Sequence, residues 1–131
     1  MKKTALQNSI ILGAAYDWFF GLMILFFPSI LAKIIQLEMP AQEIYLRLNG
    51  LFLVIIGVFY SLFWFNASRF KEIVYITIAA RFTGFIFFFS AWALFAHPFT
   101  FLLLGMGDGF WAVLHFILLK TESGSKHGSR R

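Results

Sequence analysis

The sequence predicts an all-α polytopic membrane protein, a single bundle of four transmembrane helices, and three observations carry that prediction. The first is composition: 60% of the 131 residues are hydrophobic, 21% aromatic and only 13% charged, against about 45–50% apolar and about 25% charged in soluble domains. A chain this short cannot bury such a surplus, because small domains hide the smallest fraction of their surface. A mean hydropathy of +0.81 therefore calls for lipid around it. The second observation is that four segments, residues 6–31, 41–65, 72–96 and 98–119, reach the roughly 20 mostly apolar residues that cross a hydrocarbon core.

The third is where the charge lies. Lys2, Lys3, Arg69, Lys71, Lys120, Lys126, Arg130 and Arg131 fall on one side of such a bundle and Lys33 alone on the other. A lysine and arginine bias of this kind marks the cytoplasmic face. Both termini and the middle loop are expected there, and the net charge of +5 is read as topology rather than as a nucleic-acid footprint.

The elements follow in order. "MKKTAL" opens like a secretory leader, but the apolar run through "GAAYDWFFGLMILFFPSILA" has no A-x-A site at its end and outlasts the roughly 7–15 residues of a leader's apolar region. A retained first helix is expected. The connection "AKIIQLEMPAQE" bunches Ile34, Ile35 and Leu37 toward the interface, and Pro40 is expected in the first turn of the next helix, where its missing N–H costs nothing. At "NASRF" Ser68 is the expected N-cap of the third span. The short "AHPF" makes a tight helical hairpin of spans three and four. Residues 1–120 thus form one transmembrane domain, and 121–131, "TESGSKHGSRR", read as a disordered basic tail. Tyr60, Trp64 and Tyr75 at one boundary, with Tyr45 and Trp92 at the other, are the expected interfacial belts.

Each span carries one ion that no loop accounts for: Asp17, Arg47, Arg81 and Asp108. At a helix centre each opposes insertion by about 2.5–3.5 kcal/mol, so the four are expected to face one another. Helical periodicity agrees. Gly13, Asp17 and Gly21 share a face of the first span; Arg47, Gly50, Val54, Gly57 and Ser61 of the second; Thr77, Arg81, Gly84 and Ala91 of the third; Gly105, Asp108, Ala112 and His115 of the fourth. Glycines on those faces let membrane helices approach closely. With about 1.5 Å of rise per residue, Arg47 lies about 9 Å below the outer boundary, Asp108 about 16 Å, Asp17 about 21 Å and Arg81 about 24 Å. These depths pair Arg81 with Asp17 and Arg47 with Asp108 across the bundle diagonals, as a neutral set. Arg81 with Asp108 leaves about 8 Å of mismatch, which a water or ligand would have to bridge.

Trp18 and Trp111 lie deep in their spans beside the two aspartates, as walls of a ligand pocket or as indole donors to the same network. His115 shares the face of Asp108, but no second ligand stands at i+4 and His97 is 18 residues away at the other boundary, so no metal is expected. The absence of cysteine excludes disulfides, iron–sulfur ligation and thiol redox chemistry. No nucleophile elbow, phosphate loop, zinc-protease or dinucleotide motif is present, so neither a cofactor nor catalysis by this chain alone is expected.

The layout of four short spans, with "RLNG" at 47–50, "RFTG" at 81–84 and "GDG" at 107–109, resembles the small four-helix membrane proteins grouped as DoxX-like. That resemblance implies a compact bundle in the bacterial inner membrane and assigns no catalytic residue. Two expectations follow. Either the core around Asp17, Arg47, Arg81 and Asp108 binds or transports a small anionic or amphipathic ligand, such as a lipid or quinone headgroup, or the charges are structural in an accessory subunit. Membrane lipids are the expected partners in both cases, with a larger membrane complex or a homodimer beyond them.

Overall fold

The structure, a computed structural model, describes the backbone of residues 3–128 and the side chains of residues 3–123. It contains α1 (Ala5–Phe26), α2 (Pro28–Ile34), α3 (Glu43–Phe65), α4 (Glu72–Phe95) and α5 (Phe99–Gly128), with no strand among the described residues. Four of these, α1, α3, α4 and α5 as far as Ser123, are long and apolar enough to cross a membrane. Only 33%, 28%, 17% and 17% of their most apolar windows is buried within the bundle. Their outward faces, dense in Phe, Leu and Ile, therefore suit hydrocarbon and not water.

Local chemistry sets the boundaries. Thr4 opens α1 with a capping box: its hydroxyl accepts from the Gln7 N–H at 3.2 Å, and its own N–H donates to Gln7 Oε1 at 3.1 Å. The first span ends at Phe26, short of residue 31, because Pro28 lacks an N–H and its ring would clash with the preceding turn. Pro28 instead begins α2, where a proline fits. Gln36, at φ 57°, turns the chain out of this short helix.

Two expected helix starts are displaced. α3 begins at Glu43, so Pro40 precedes the helix instead of lying in its first turn. α4 begins at Glu72 with no side-chain cap. Ser68 is spent within the loop, donating to Asn66 Oδ1 at 2.8 Å, while the same oxygen accepts from the Arg69 N–H at 3.2 Å. The α4–α5 hairpin is as expected: Ala96 adopts φ 54° and the His97 N–H returns to the Ala91 carbonyl at 3.2 Å. α5 passes the expected end at residue 119 and reaches Gly128, so the segment read as a tail begins as helix; residues 129–131 lie outside the described ones.

α1 packs mainly on α3 and α4 mainly on α5, and the contacts of α1 with α5 and of α3 with α4 close the ring. The α1–α3 seam is made of glycine. A Cβ on Gly50 would stand 2.7 Å from the Gly21 carbonyl oxygen, and one on Gly57 would stand 2.5 Å from Trp18 Nε1. Toward the end where α1 and α4 start, Leu6, Ile10, Ala14, Tyr60, Phe63 and Val74 form a compact apolar core. Tyr60 is only 5% exposed, so it belongs to that core and not to the interfacial belt the sequence suggested.

Candidate functional site

Arg81 is the centre of the bundle. It is 5% exposed, and its guanidinium bonds from α4 to two other helices at once. Nη2 donates to Asp17 Oδ2 at 2.6 Å and to the Gly13 carbonyl at 2.9 Å on α1, while Nη1 donates to Asp108 Oδ1 at 2.7 Å on α5. Both acid contacts are charge-assisted and short. Tyr16 and Tyr60 flank the cation, with ring centroids 5.4 and 5.9 Å from the guanidinium carbon.

The diagonal pair of Arg81 with Asp17 is present as the depth argument expected. The pair of Arg81 with Asp108, which that argument disfavoured, is present too. Gly84 supplies the reason, since a Cβ there would stand 2.5 Å from Asp108 Oδ2. The empty position lets the carboxylate lie against α4 about one turn from Arg81, and the breadth of the guanidinium covers the remaining height. The arginine of "RFTG" and the aspartate of "GDG" thus meet directly.

Arg47 stands apart. Its side chain is 38% exposed and pairs within its own helix with Glu43, Nη2 to Oε1 at 2.5 Å, while Nη1 donates to the Leu25 carbonyl. That carbonyl is in the last turn of α1, where no intrahelical donor exists. Arg47 therefore closes a helix end and is not a partner of Asp108. The buried set is not the neutral four-ion group expected; it is one guanidinium between two carboxyl groups.

The remaining candidates divide. His115 is fully buried, and among the described residues its ring nitrogens have no side-chain partner, the Ser9 backbone being the polar group beside the ring. A Cβ on Gly13 would stand 3.6 Å from His115 Nε2 and 3.7 Å from Arg81 Nη2, so the imidazole and the guanidinium adjoin the same glycine. Trp111 packs over this imidazole at a centroid distance of 5.6 Å and over Tyr16 at 6.5 Å, and so walls the centre on the α5 side. Trp18 fits against Gly57 on α3, and its Nε1 is buried without a partner, so it is not a donor to the carboxylates. Arg81 Nε and Ser9 Oγ are also buried and have no partner among the described residues.

Sequence reasoning missed Tyr16, Tyr60 and the Gly13 carbonyl. Tyr16 was the most accessible of these, as the immediate neighbour of Asp17. Among the described residues no group of three or more His, Asp or Glu side chains is placed to hold a metal ion. No known family, no curated protein and no solved structure matches the chain, so the chemistry of this centre is what bears on its role.

Proposed function

We propose that this chain is a small integral membrane protein whose buried centre at Asp17, Arg81 and Asp108 binds or transports a small amphipathic molecule through its polar headgroup. One observation carries the reading: among the described residues, Arg81 Nε and the His115 imidazole are buried at this centre with no side-chain partner. An ion centre serving structure alone would match its donors, since an unmade hydrogen bond to a buried group costs about 1–3 kcal/mol. Leftover donors beside two carboxyl groups favour a head that offers acceptor oxygens without a full negative charge. A quinone or a zwitterionic lipid headgroup suits them better than a free anion. The lysine and arginine bias supports cytoplasmic termini, and the resemblance to the DoxX-like proteins supports a bacterial inner membrane. Single cysteines introduced at Ser68 and Glu38 would then react with impermeant thiol reagents from opposite sides.

Thermal unfolding in a neutral detergent, with and without short-chain quinones and lysolipids, tests the reading. His115→Phe keeps a ring in place and removes both nitrogens. The expected result is a Tm without additive that is unchanged or higher, together with loss of the additive's stabilisation. A second reading, an accessory subunit that docks through its phenylalanine-rich faces on a larger complex or a second copy, is favoured by the three hydrogen bonds that the η nitrogens of Arg81 already make within the bundle. Failure of every additive to stabilise the wild type selects it.

A further inference from the structure

A second site lies at the end of the bundle where α1 and α4 begin. A cavity of about 770 Å³ opens there, within the roughly 300–1,000 Å³ typical of small-molecule sites. Its walls are divided by chemistry. Leu6, Phe63 and Val74, at 2%, 4% and 1% exposure, form a floor continuous with the apolar core. Lys3, Lys71 and Glu122 are the charged groups at its rim among the described residues.

The rim is arranged for a negative head. The first turns of α1 and α4 both line the cavity, and α4 has no side-chain cap. The last turn of α3 reaches the same cavity through Phe63, Phe65 and Asn66, so the helix-end dipoles offset one another and the positive field at the rim comes from the two ammonium groups. The chain's own anion is already engaged at the start of α1, as Glu122 Oε1 accepts the Leu6 N–H at 3.1 Å. Lys3 is largely committed, donating to the Trp64 carbonyl at 2.6 Å and the Phe65 carbonyl at 3.3 Å, whereas Lys71 is exposed and makes no such bond to the described residues. The floor faces the interior of the bundle and the rim its end, so a molecule bound here has the same orientation as a lipid of the adjacent leaflet.

We propose that this cavity binds an anionic single-chain amphiphile, with its carboxylate or phosphate head between Lys3 and Lys71 and the start of its hydrocarbon chain on the floor of Leu6, Phe63 and Val74. The site is separate from the Arg81 centre: Gln7, which lines the cavity, and Asp17 are ten residues apart on α1, about 15 Å along the helix. Its occupancy does not depend on what the Arg81 centre binds.

Native mass spectrometry of the full chain in a neutral detergent tests it with four probes: a fatty acid, a lysophosphatidic acid, a monoacylglycerol of the same chain length, and inorganic phosphate. The expected result is that the two anionic amphiphiles bind roughly fivefold more tightly than the uncharged one, with phosphate alone not retained. The ratio of fatty acid to lysophosphatidic acid identifies the head. Lys71→Gln, which breaks no side-chain hydrogen bond or ion pair among the described residues, is expected to lower the preference for anionic heads several-fold and to leave the Tm without ligand unchanged. Equal binding of charged and uncharged amphiphiles, retention of phosphate without a chain, or a preference unaffected by Lys71→Gln would each overturn the proposal.

Discussion

Replacing Arg81 by Met, alongside Arg47 by Met, separates the two arginines that look alike in sequence. Arg81→Met removes a cation bonded to Asp17, Asp108 and the Gly13 carbonyl, and leaves carboxyl groups whose side chains are only 3% and 17% exposed. Stranding one partner of a buried ion pair costs about 3–5 kcal/mol. Arg47→Met removes a pair whose side chains are 38% and 44% exposed, worth about 0.3–0.5 kcal/mol in a helix, and one bond to a helix-end carbonyl. Its expected cost is below about 1.5 kcal/mol in all. The assay is reversible unfolding from neutral detergent into dodecyl sulfate, followed by tryptophan fluorescence and far-ultraviolet circular dichroism. Adding Asp17→Leu and Asp108→Leu to Arg81→Met is expected to recover stability to within about 1 kcal/mol of wild type, because replacing a whole buried ionic set by packed apolar groups is near neutral. Equal losses for the two single arginine variants, or no recovery in the triple variant, would falsify the assignment of Arg81 as the centre and Arg47 as a helix-end contact.

Further outcomes follow from the same contacts. Gly50→Ala directs a methyl at backbone atoms of Gly21 and Leu25 that cannot rotate away, so it is expected to cost about 1–3 kcal/mol and to weaken α1–α3 association in a split-chain assay; a neutral effect would refute that seam. Gly84→Ala displaces the Asp108 carboxylate and not the backbone, and its cost is expected to disappear in an Asp108→Ala background, which a double-mutant cycle measures. Lys3→Met leaves the last carbonyls of α3 with one donor fewer, and is expected to speed amide hydrogen exchange at that helix end while the α4–α5 hairpin stays protected.

The four spans are legible in the sequence because apolar length alone defines them, without knowledge of any partner. The pair of Arg81 with Asp17 is legible for a related reason: their depths differ by only about 3 Å on straight helices. Asp108 escaped because a reckoning by depth treats helices as smooth rods, and the space that admits its carboxylate is a missing Cβ on Gly84. Arg47 was misplaced although its partner stood four residues earlier, as Glu43, in the favourable order for a helical pair. Near a span's end such a pair competes well with a buried partner. Tyr60 has the depth of an interfacial aromatic, and only the packing of α1 and α4 around it makes it core. The hydrogen-bonding state of the His115 imidazole is invisible to any pattern, because it depends on what the neighbouring helices supply.

The position of Arg81 also sets a sequence of events during synthesis. The α1–α3 hairpin is complete before the third span emerges, so Asp17 enters the membrane without its cation and waits for Arg81. Arg81 can then be neutralised at once by an acid already in place, while Asp108 arrives last and joins a pair already made. The tie between Glu122 and the first turn of α1 comes later still. The two ends of the described chain are thus joined only after every span has been made, and an assembly arrested before α5 would present an open bundle with its ion pair on the unsealed side.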